Sequence, residues 1–402
     1  MSSMKKIGIG VIGIGNMGSA HAANLYGGKI EYGSLAAVCD ISESRLSWAE
    51  SEFPNVRRFS DYKELIKSGC VDAVVIATPH YLHPPIAIYA FEHGLHVLTE
   101  KPAGVNRSAV LKMNEAAAKS GKRFGIMFNQ RTDPLFIRAK ELVSNGTLGS
   151  PKRLTWIITN WYRTQSYYDS GSWRGSFSGE GGGVLLNQAP HNLDILQWIF
   201  GMPNRVYAVC DEGLYHNIEV EDRATLIMNY ENGAEAQFMT TTGEYPGTNR
   251  LEIVGDRGKL VIESGKLTLY LLGFSEREYR FSSDHASCGE KPEITVFGYD
   301  GVQVDGHAAV LSAFADAVLH GGKLIAEGAE GINMLTLANA AYLSSWTKKA
   351  VDLPMDDALF DCLHGEKVEE SKKRAAEKRK NEAENRKSDA DGSTNSRWKV
   401  NW

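Results

Sequence analysis

The sequence predicts an α/β protein: an N-terminal Rossmann-type doubly wound parallel sheet, then a C-terminal α/β domain around an open, mostly antiparallel sheet. Three observations carry this. Short apolar runs alternate with helix-competent segments over about the first 125 residues. A glycine turn, Gly13-x-Gly15-x-x-Gly18, follows the first run and opens a helix. After about residue 150 the rhythm changes to successive strand-like segments separated by turn signals.

Taken in order, Ile7 to Ile12 is a first strand and Ser19 to Tyr26 a small-residue helix. Ser34 to Cys39 is a second strand ending at Asp40, followed by helical patterns at Ser42 to Glu52 and Asp61 to Ser68. Ala73 to Ala77 is apolar on both faces, as a strand inside a parallel sheet must be. Pro84–His93, Leu95–Thr99, Arg107–Ser120 and Arg123–Phe128 continue the alternation as helix, strand, helix, strand. Beyond these, strands are expected at Arg153–Asn160, Arg205–Val209, Arg223–Asn229, Ala234–Thr241, Arg250–Val254, Lys259–Glu263 and Lys266–Leu271. A helix at Pro190–Phe200 packs on them, and late helices at His307–His320 and Gly328–Lys349 return to cover the first domain or the sheet. The domains expected are 1–128, 129–357 and a charged extension, 358–402.

Composition narrows the function. A chain of 402 residues with 43% hydrophobic and 23% charged residues is ordinary for a globular protein with a sizeable core. A net charge of −5 gives no field for nucleic acid or a membrane surface. No apolar run reaches membrane-spanning length, and the N-terminal run reads as a strand and not a leader. Five scattered cysteines without C-x-x-C pairing point away from disulfides or zinc and towards a reducing cytoplasm. No metal site is expected, since His80 and His83 lack a carboxylate or Cys at ligand spacing.

The segment Gly13, Ile14, Gly15, Asn16, Met17, Gly18 has the strand–turn–helix context of a dinucleotide pyrophosphate cradle. Asp40, 22 residues after Gly18 at the end of the next strand, is placed to accept hydrogen bonds from an adenosine ribose diol and to repel a 2′-phosphate. NAD is therefore expected over NADP, although Arg45 nearby could hold a phosphate. The competing reading is a structural turn with Asp40 as a helix cap. Lys101 ends a strand at Thr99-Glu100-Lys101-Pro102, where it could polarise a substrate oxygen or stay solvated. Asn187, His191 and Asp194 recur at spacings of four and three from the glycine run Gly181–Gly183 into the next helix. His191 could take an alcohol proton, Asn187 orient the hydroxyl and Asp194 fix the imidazole tautomer; alternatively they form a helix start with a half-buried His.

These residues together resemble the glucose–fructose oxidoreductase/inositol dehydrogenase (Gfo/Idh/MocA) family. The glycine fingerprint, Asp40, Ala77-Thr78-Pro79 with His83, Glu100-Lys101-Pro102, Gly183 to Asp194 and Ala350 to Pro354 carry the likeness over residues 5–355. The resemblance implies reversible oxidation of a sugar, glycoside or cyclitol hydroxyl with NAD. It implies Lys101 and His191 as the catalytic pair with Asn187 beside them, and Thr78, Pro79, His80, His83, Glu100, Lys101 and Asn129 as cofactor contacts. Asn187 stands where the family usually has Asp, and an amide cannot act as a base, which leaves the proton to His191 with Lys101 in support. Members similar in carrying Asn suggest oxidation at a ring C3 hydroxyl. His80 stands where Asn is frequent.

Tyr162, Arg163, Trp173 and Arg174 precede the catalytic helix and are expected, with Lys101, Asn187 and His191, to meet the substrate; aromatic faces pack on pyranose C–H surfaces. Core or interface packing is the alternative for the aromatics. Two other functions stand beside the dehydrogenase: glycoside cleavage by transient oxidation with retained NAD, and a non-catalytic NAD sensor. The partners expected are a small sugar or glycoside and further copies of the chain through the C-terminal sheet, without nucleic acid or membrane. Residues 366–402 carry +3 against −8 for the rest. Ser371 to Lys387 is helix-competent without an apolar stripe, so it is read as solvated helix or disorder; Trp398 and Trp402 could instead anchor it on a neighbouring subunit.

Overall fold

The computed structural model describes residues 5–171, 173–299, 301 and 304–391, with backbone only at 379 and 381–391. The first sheet alternates β1 (Ile7–Ile12), α1 (Asn16–Tyr26), β2 (Gly33–Cys39), α2 (Glu43–Glu52), β3 (Arg57–Phe59), α3 (Tyr62–Lys67), β4 (Ala73–Ile76), α4 (His83–Glu92), β5 (His96–Thr99), α5 (Arg107–Ser120) and β6 (Phe124–Ile126). All pairs are parallel, in the order β3-β2-β1-β4-β5-β6. That is the doubly wound order, which reverses between β1 and β4 and opens a crevice at their carboxyl ends. The three-residue edge strand β3 is too short for its pattern to show in sequence.

The second unit runs α6 (Pro134–Ser144), β7 (Pro151–Ile158), α7 (Gln165–Asp169), α8 (Pro190–Phe200), β8 (Arg205–Glu212), β9 (Glu221–Asn229), β10 (Glu235–Thr241), β11 (Asn249–Gly255), β12 (Gly258–Glu263), β13 (Lys266–Leu271), α9 (Glu276–Ser282) and β14 (Glu293–Phe297). It continues with α10 (Gly306–His320), α11 (Gly331–Thr347), β15 (Val351–Asp352) and α12 (Asp357–Asp391). Nine strands lie in the order β14-β13-β12-β11-β7-β10-β9-β8-β15, antiparallel except for the β7–β10 pair. Period-2 alternation sends Val206, Ala208, Leu226, Met228 and Phe238 inward and leaves Tyr207, Val209, Ile227 and Met239 exposed on the other face.

The two late helices part ways. Val310, Leu311 and Phe314 of α10 join Ile9, Val11 and Val75 on one face of the parallel sheet. From α11, Ser344 and Ser345 accept hydrogen bonds from the amides of Ala208 and Cys210 on β8. The larger core cluster is continuous from Ile76, Val97 and Ala103 through Val105 to Leu185, Leu226 and Leu337. The Rossmann unit and the second sheet thus share apolar packing beneath the crevice.

The extension is more ordered than its composition suggests. From Asp357 the chain is one helix, and its first turns dock through Phe360, His364, Lys367 and Ser371. Phe360 and His364 stack with Trp346 of α11. That stripe is aromatic and polar, so a search for aliphatic periodicity passes over it. Beyond Ser371 the side chains at 372–374 and 376–378 are exposed. Trp398 and Trp402 lie outside the described residues. No described helix is long and apolar enough to cross a membrane.

Candidate active site

The crevice is lined first by the glycine loop. A Cβ on Gly18 would sit 1.8 Å from the Gly13 carbonyl oxygen, so this approach of helix to strand admits glycine alone, whereas Gly15 faces open space. Helix α1 begins without a side-chain cap or an acidic first turn, leaving amide donors and dipole free for an anion. Ile14, Asn16 and Met17 complete the turn, and Ile14 is fully buried. Asp40 accepts the Ile14 amide through Oδ2 and the Ser42 amide through Oδ1, each at 2.9 Å, which fixes its carboxylate beside the loop. Arg45 lies behind the same loop, donating to the Ile14 carbonyl and to Ser19 and stacking on Trp48.

Four buried polar atoms at or beside the crevice have no partner: Thr78 Oγ1 after β4, Asn129 Oδ1 and Gln130 Oε1 after β6, and His191 Nδ1. Orphaned groups of this kind cost free energy unless a ligand or water meets them. Together with the open cradle at Gly15 they fit a nicotinamide dinucleotide. Pro79 leads into a short 3-10 turn at His80–Leu82. His83 is otherwise engaged: both its ring nitrogens face backbone carbonyls, of Pro102 at 2.7 Å and Thr78 at 2.8 Å, so it braces two strand-end loops.

Glu100 is buried with Oε1 2.7 Å from His21 Nε2 and Oε2 on the Lys101 amide. Burial opposes its ionisation, but the His21 hydrogen bond and the charges of His21, Lys101 and His191 prevail and hold its pKa down to about 2. Next in the chain, Lys101 Nζ donates to the backbone carbonyl of Asn187 at 2.8 Å. Burial lowers the Lys101 pKa, with Arg174 and Arg163 acting the same way against Glu100 and Glu180. His191 follows one turn after Asn187 and packs edge-on to Phe128. Burial and then the Lys101 charge push it down to about 3, so the imidazole is neutral at working pH.

The Asp194 expectation needs correction. Its oxygens take a bidentate pair from Arg131 at 2.8 and 2.7 Å, and Arg131 also reaches Glu330. A forked, charge-assisted pair inside the core outcompetes an imidazole, and His191 Nδ1 has no partner.

Sequence reasoning missed Glu180. This buried carboxylate takes the Gly175 amide on Oε2 at 2.7 Å and the Asn187 side-chain amide on Oε1. Burial raises its pKa to about 7 against the pull of Gly175, Asn187, Arg174 and Lys101. It is the one acidic residue between Asp169 and Asp194 and immediately precedes three glycines, a signal that could have found it. Glu221 plays a parallel part, accepting the amides of Gly183 and Leu185 and the Tyr342 hydroxyl. The loop carrying Glu180 is held from outside by side-chain donors to its carbonyls. His80 Nδ1 reaches Glu180 at 2.9 Å, Tyr81 reaches Phe177 at 2.6 Å, and His364 of α12 reaches Gly181 at 2.9 Å. His80, expected at the cofactor, engages this loop through Nδ1 and lies at a steep angle to the Trp173 ring.

Among the expected substrate residues, Tyr162 is exposed and pairs with Tyr245. Arg163 and Arg174 both lie over the Tyr167 ring, and Arg174 also over Trp173. A cavity of about 530 Å³ adjoins the site at Asn129 and Asn192, with Asn160 and Trp161 in its wall. Trp161 Nε1 donates to Asn192 Oδ1. Among the described residues no cluster of three His, Cys, Asp or Glu could hold a metal.

Comparison with known proteins agrees with the crevice. Residues 7–128 match the Gfo/Idh/MocA oxidoreductase model for an NAD-binding Rossmann fold, and 140–353 match that family's C-terminal α/β domain. A myo-inositol 2-dehydrogenase from Thermotoga maritima is 27% identical over 351 residues, 86% of this chain and 98% of that one. The WlbA dehydrogenase of Bordetella pertussis, solved with NADH and UDP-GlcNAcA, superposes with a TM-score of 0.74 at 26% identity over 88% of this chain and all of that one. A levoglucosan dehydrogenase solved with NADH and levoglucosan shares the fold at a TM-score of 0.74 and 22% identity, over 87% of this chain and all of that one.

Proposed function

From the premise that the chain belongs to the Gfo/Idh/MocA oxidoreductase family, we propose that it is an NAD-dependent dehydrogenase of a sugar, glycoside or cyclitol ring hydroxyl, with C3 as the carbon oxidised. One observation carries the reading: Lys101 is joined to Asn187, one turn from a neutral His191, at the carboxyl edge of the sheet that bears the glycine cradle.

The roles follow from the donors present. The amides at the start of α1 hold the dinucleotide phosphates, Asp40 receives the ribose diol, and Thr78 and Asn129 offer their free oxygens to the nicotinamide end. NAD, when bound, supplies the hydride acceptor. Asn187 has its nitrogen committed to Glu180, so its Oδ1 accepts from a substrate hydroxyl. His191, neutral and unpaired, takes the hydroxyl proton, and Lys101 donates to the same oxygen and stabilises the negative charge that grows on it. The exposed apolar face at Tyr207, Val209, Ile227 and Met239 supports self-association through the second sheet.

The test is incubation with a panel of free sugars, cyclitols, nucleotide sugars and glycosides, with product analysis for the position of the ketone. NADH formed in step with a ring ketone supports the reading. Glycoside cleavage without net NADH, or NAD binding without turnover of any member, overturns it. Light scattering in solution checks the oligomer, and a monomer refutes the sheet interface.

A further inference from the structure

Next to the proposed reacting centre, two guanidinium groups are stacked on one aromatic ring. Arg163 lies with its guanidinium carbon 5.0 Å from the centre of the Tyr167 ring, and Arg174 lies 4.4 Å from the same centre and 4.6 Å from that of Trp173. Their hydrogen bonds go to neutral oxygens only: Arg163 to the Tyr162 carbonyl at 2.9 Å and Arg174 to the Tyr167 hydroxyl at 2.5 Å. Neither is in an ion pair among the described residues, which they share with Arg45, Arg57, Arg123, Arg257 and Arg277; what sets them apart is that they stack on one ring beside Lys101. Both are half-buried.

The pair is built in and not adrift. The Arg163 backbone is fixed on both sides, its amide donating to Thr242 at 2.9 Å and its carbonyl meeting His216 Nε2 at 2.9 Å. His216 is braced in turn on the buried Asp222. Tyr167, the ring both arginines share, receives Gln188 Nε2 on its hydroxyl at 3.2 Å. Gln188 follows Asn187, whose carbonyl holds Lys101. Both guanidinium groups are close enough to Lys101 to act on its charge, so three cationic side chains converge beside the proposed reacting centre, where Glu100 and Glu180 are hydrogen-bonded to His21 and to Asn187. Glu180 is close enough to Arg174 for the guanidinium to favour its ionised form, but neither arginine is hydrogen-bonded to a carboxylate, and a planar guanidinium offers two parallel donors to a carboxylate or phosphate.

We infer that Arg163 and Arg174 form an anion-binding subsite, and that the substrate is a sugar carrying a carboxylate or phosphate substituent. The inference rests on the dehydrogenase reading for the position of the reacting hydroxyl. It goes further in excluding neutral sugars as the preferred substrates.

The test compares binding of glucose, glucuronate and glucose 1-phosphate to the NAD-loaded protein by calorimetry, for the wild type, Arg163→Gln, Arg174→Gln and Arg174→Lys. The expected result is that at least one anionic sugar binds about tenfold or more tightly than glucose, an advantage lost in both Gln variants while NAD affinity is kept. Preference for glucuronate assigns a uronate carboxylate, and preference for glucose 1-phosphate assigns a phosphoryl group. Arg174→Lys retains only part of the advantage, because the charge remains without the fork. Equal binding of the three sugars overturns the inference, as does a fall in NAD affinity in the Gln variants, which would assign these arginines to the dinucleotide. Oxidation of neutral sugars with no anionic preference sinks this subsite alone, whereas absence of any sugar oxidation sinks the dehydrogenase reading.

Discussion

Lys101 Nζ and the carbonyl oxygen of Asn187 are 2.8 Å apart, joining the end of β5 to the loop that enters α8. The ammonium is thereby aimed at the start of the helix that carries His191. Lys101→Met is expected to lower kcat by about 10²–10⁴-fold while NAD still binds, as loss of a positioned proton-handling group does. Initial rates of NADH formation alongside dinucleotide titration check this. A variant with full turnover removes Lys101 from the chemistry.

Asp40 holds the glycine loop through the Ile14 amide, is itself fixed by the Ser42 amide, and presents its carboxylate where the ribose diol is expected. Asp40→Ala should weaken NAD by about tenfold or more and relax discrimination against NADP. Dissociation constants for both dinucleotides decide it. An unchanged NAD/NADP ratio refutes the diol role.

Glu180 links acidity to geometry. As an anion it accepts from the Asn187 side-chain amide, which keeps Asn187 Oδ1 as the acceptor proposed for the substrate hydroxyl. Its pKa, raised by burial to about 7, means that this arrangement is lost as pH falls through neutrality. kcat/KM should therefore drop on the acid side of about pH 7, and the limb should vanish in Glu180→Gln, which has a lower plateau. His191, held down to about 3, contributes no step there. Profiles between about pH 5.5 and about pH 9 for both proteins test it; a limb that persists in Glu180→Gln belongs to another group.

Phe360 is 1% exposed and stacks with Trp346 and His364 where α12 meets α11. Phe360→Ala should cost about 3–5 kcal/mol, the usual loss for a buried ring. A shifted urea midpoint measures it. An unmoved midpoint would mean that α12 is not docked in solution.

Arg131→Met leaves Asp194 buried without its partner, and removing one member of such a pair costs about 3–5 kcal/mol. Arg131→Met with Asp194→Leu should recover part of that loss, because two apolar side chains need no counter-charge. Denaturation of the single and double variants tests this, and simple additivity refutes it.

What could be read in the sequence was whatever depends on local periodicity. The glycine fingerprint, the buried strand at Ala73–Ile76 and Asp40 at the end of β2 all follow from spacing along one chain segment. Partnerships across segments did not show. Asp194 looked like the mate of His191, four positions of helix being visible, while Arg131, 63 residues away, was not. Glu180 was hidden because its role comes from Asn187, Gly175 and burial together. The stripe Phe360, His364, Ser371 was hidden because what it covers is a peptide loop and a ring stack, which ask for donors and flat faces and not aliphatic bulk.

The glycine run 181–183 looks like a place where a chain would swing. A Cβ on Gly183 would fall 1.9 Å from the Glu221 carbonyl oxygen, one on Gly182 2.3 Å from the Tyr342 hydroxyl, and one on Gly181 2.4 Å from Val105. The run is therefore a wedge with walls on every side, where a side chain at any of the three positions would collide with a neighbour. A substrate bound as proposed would meet a floor already packed, so little of its affinity would be spent on ordering that floor.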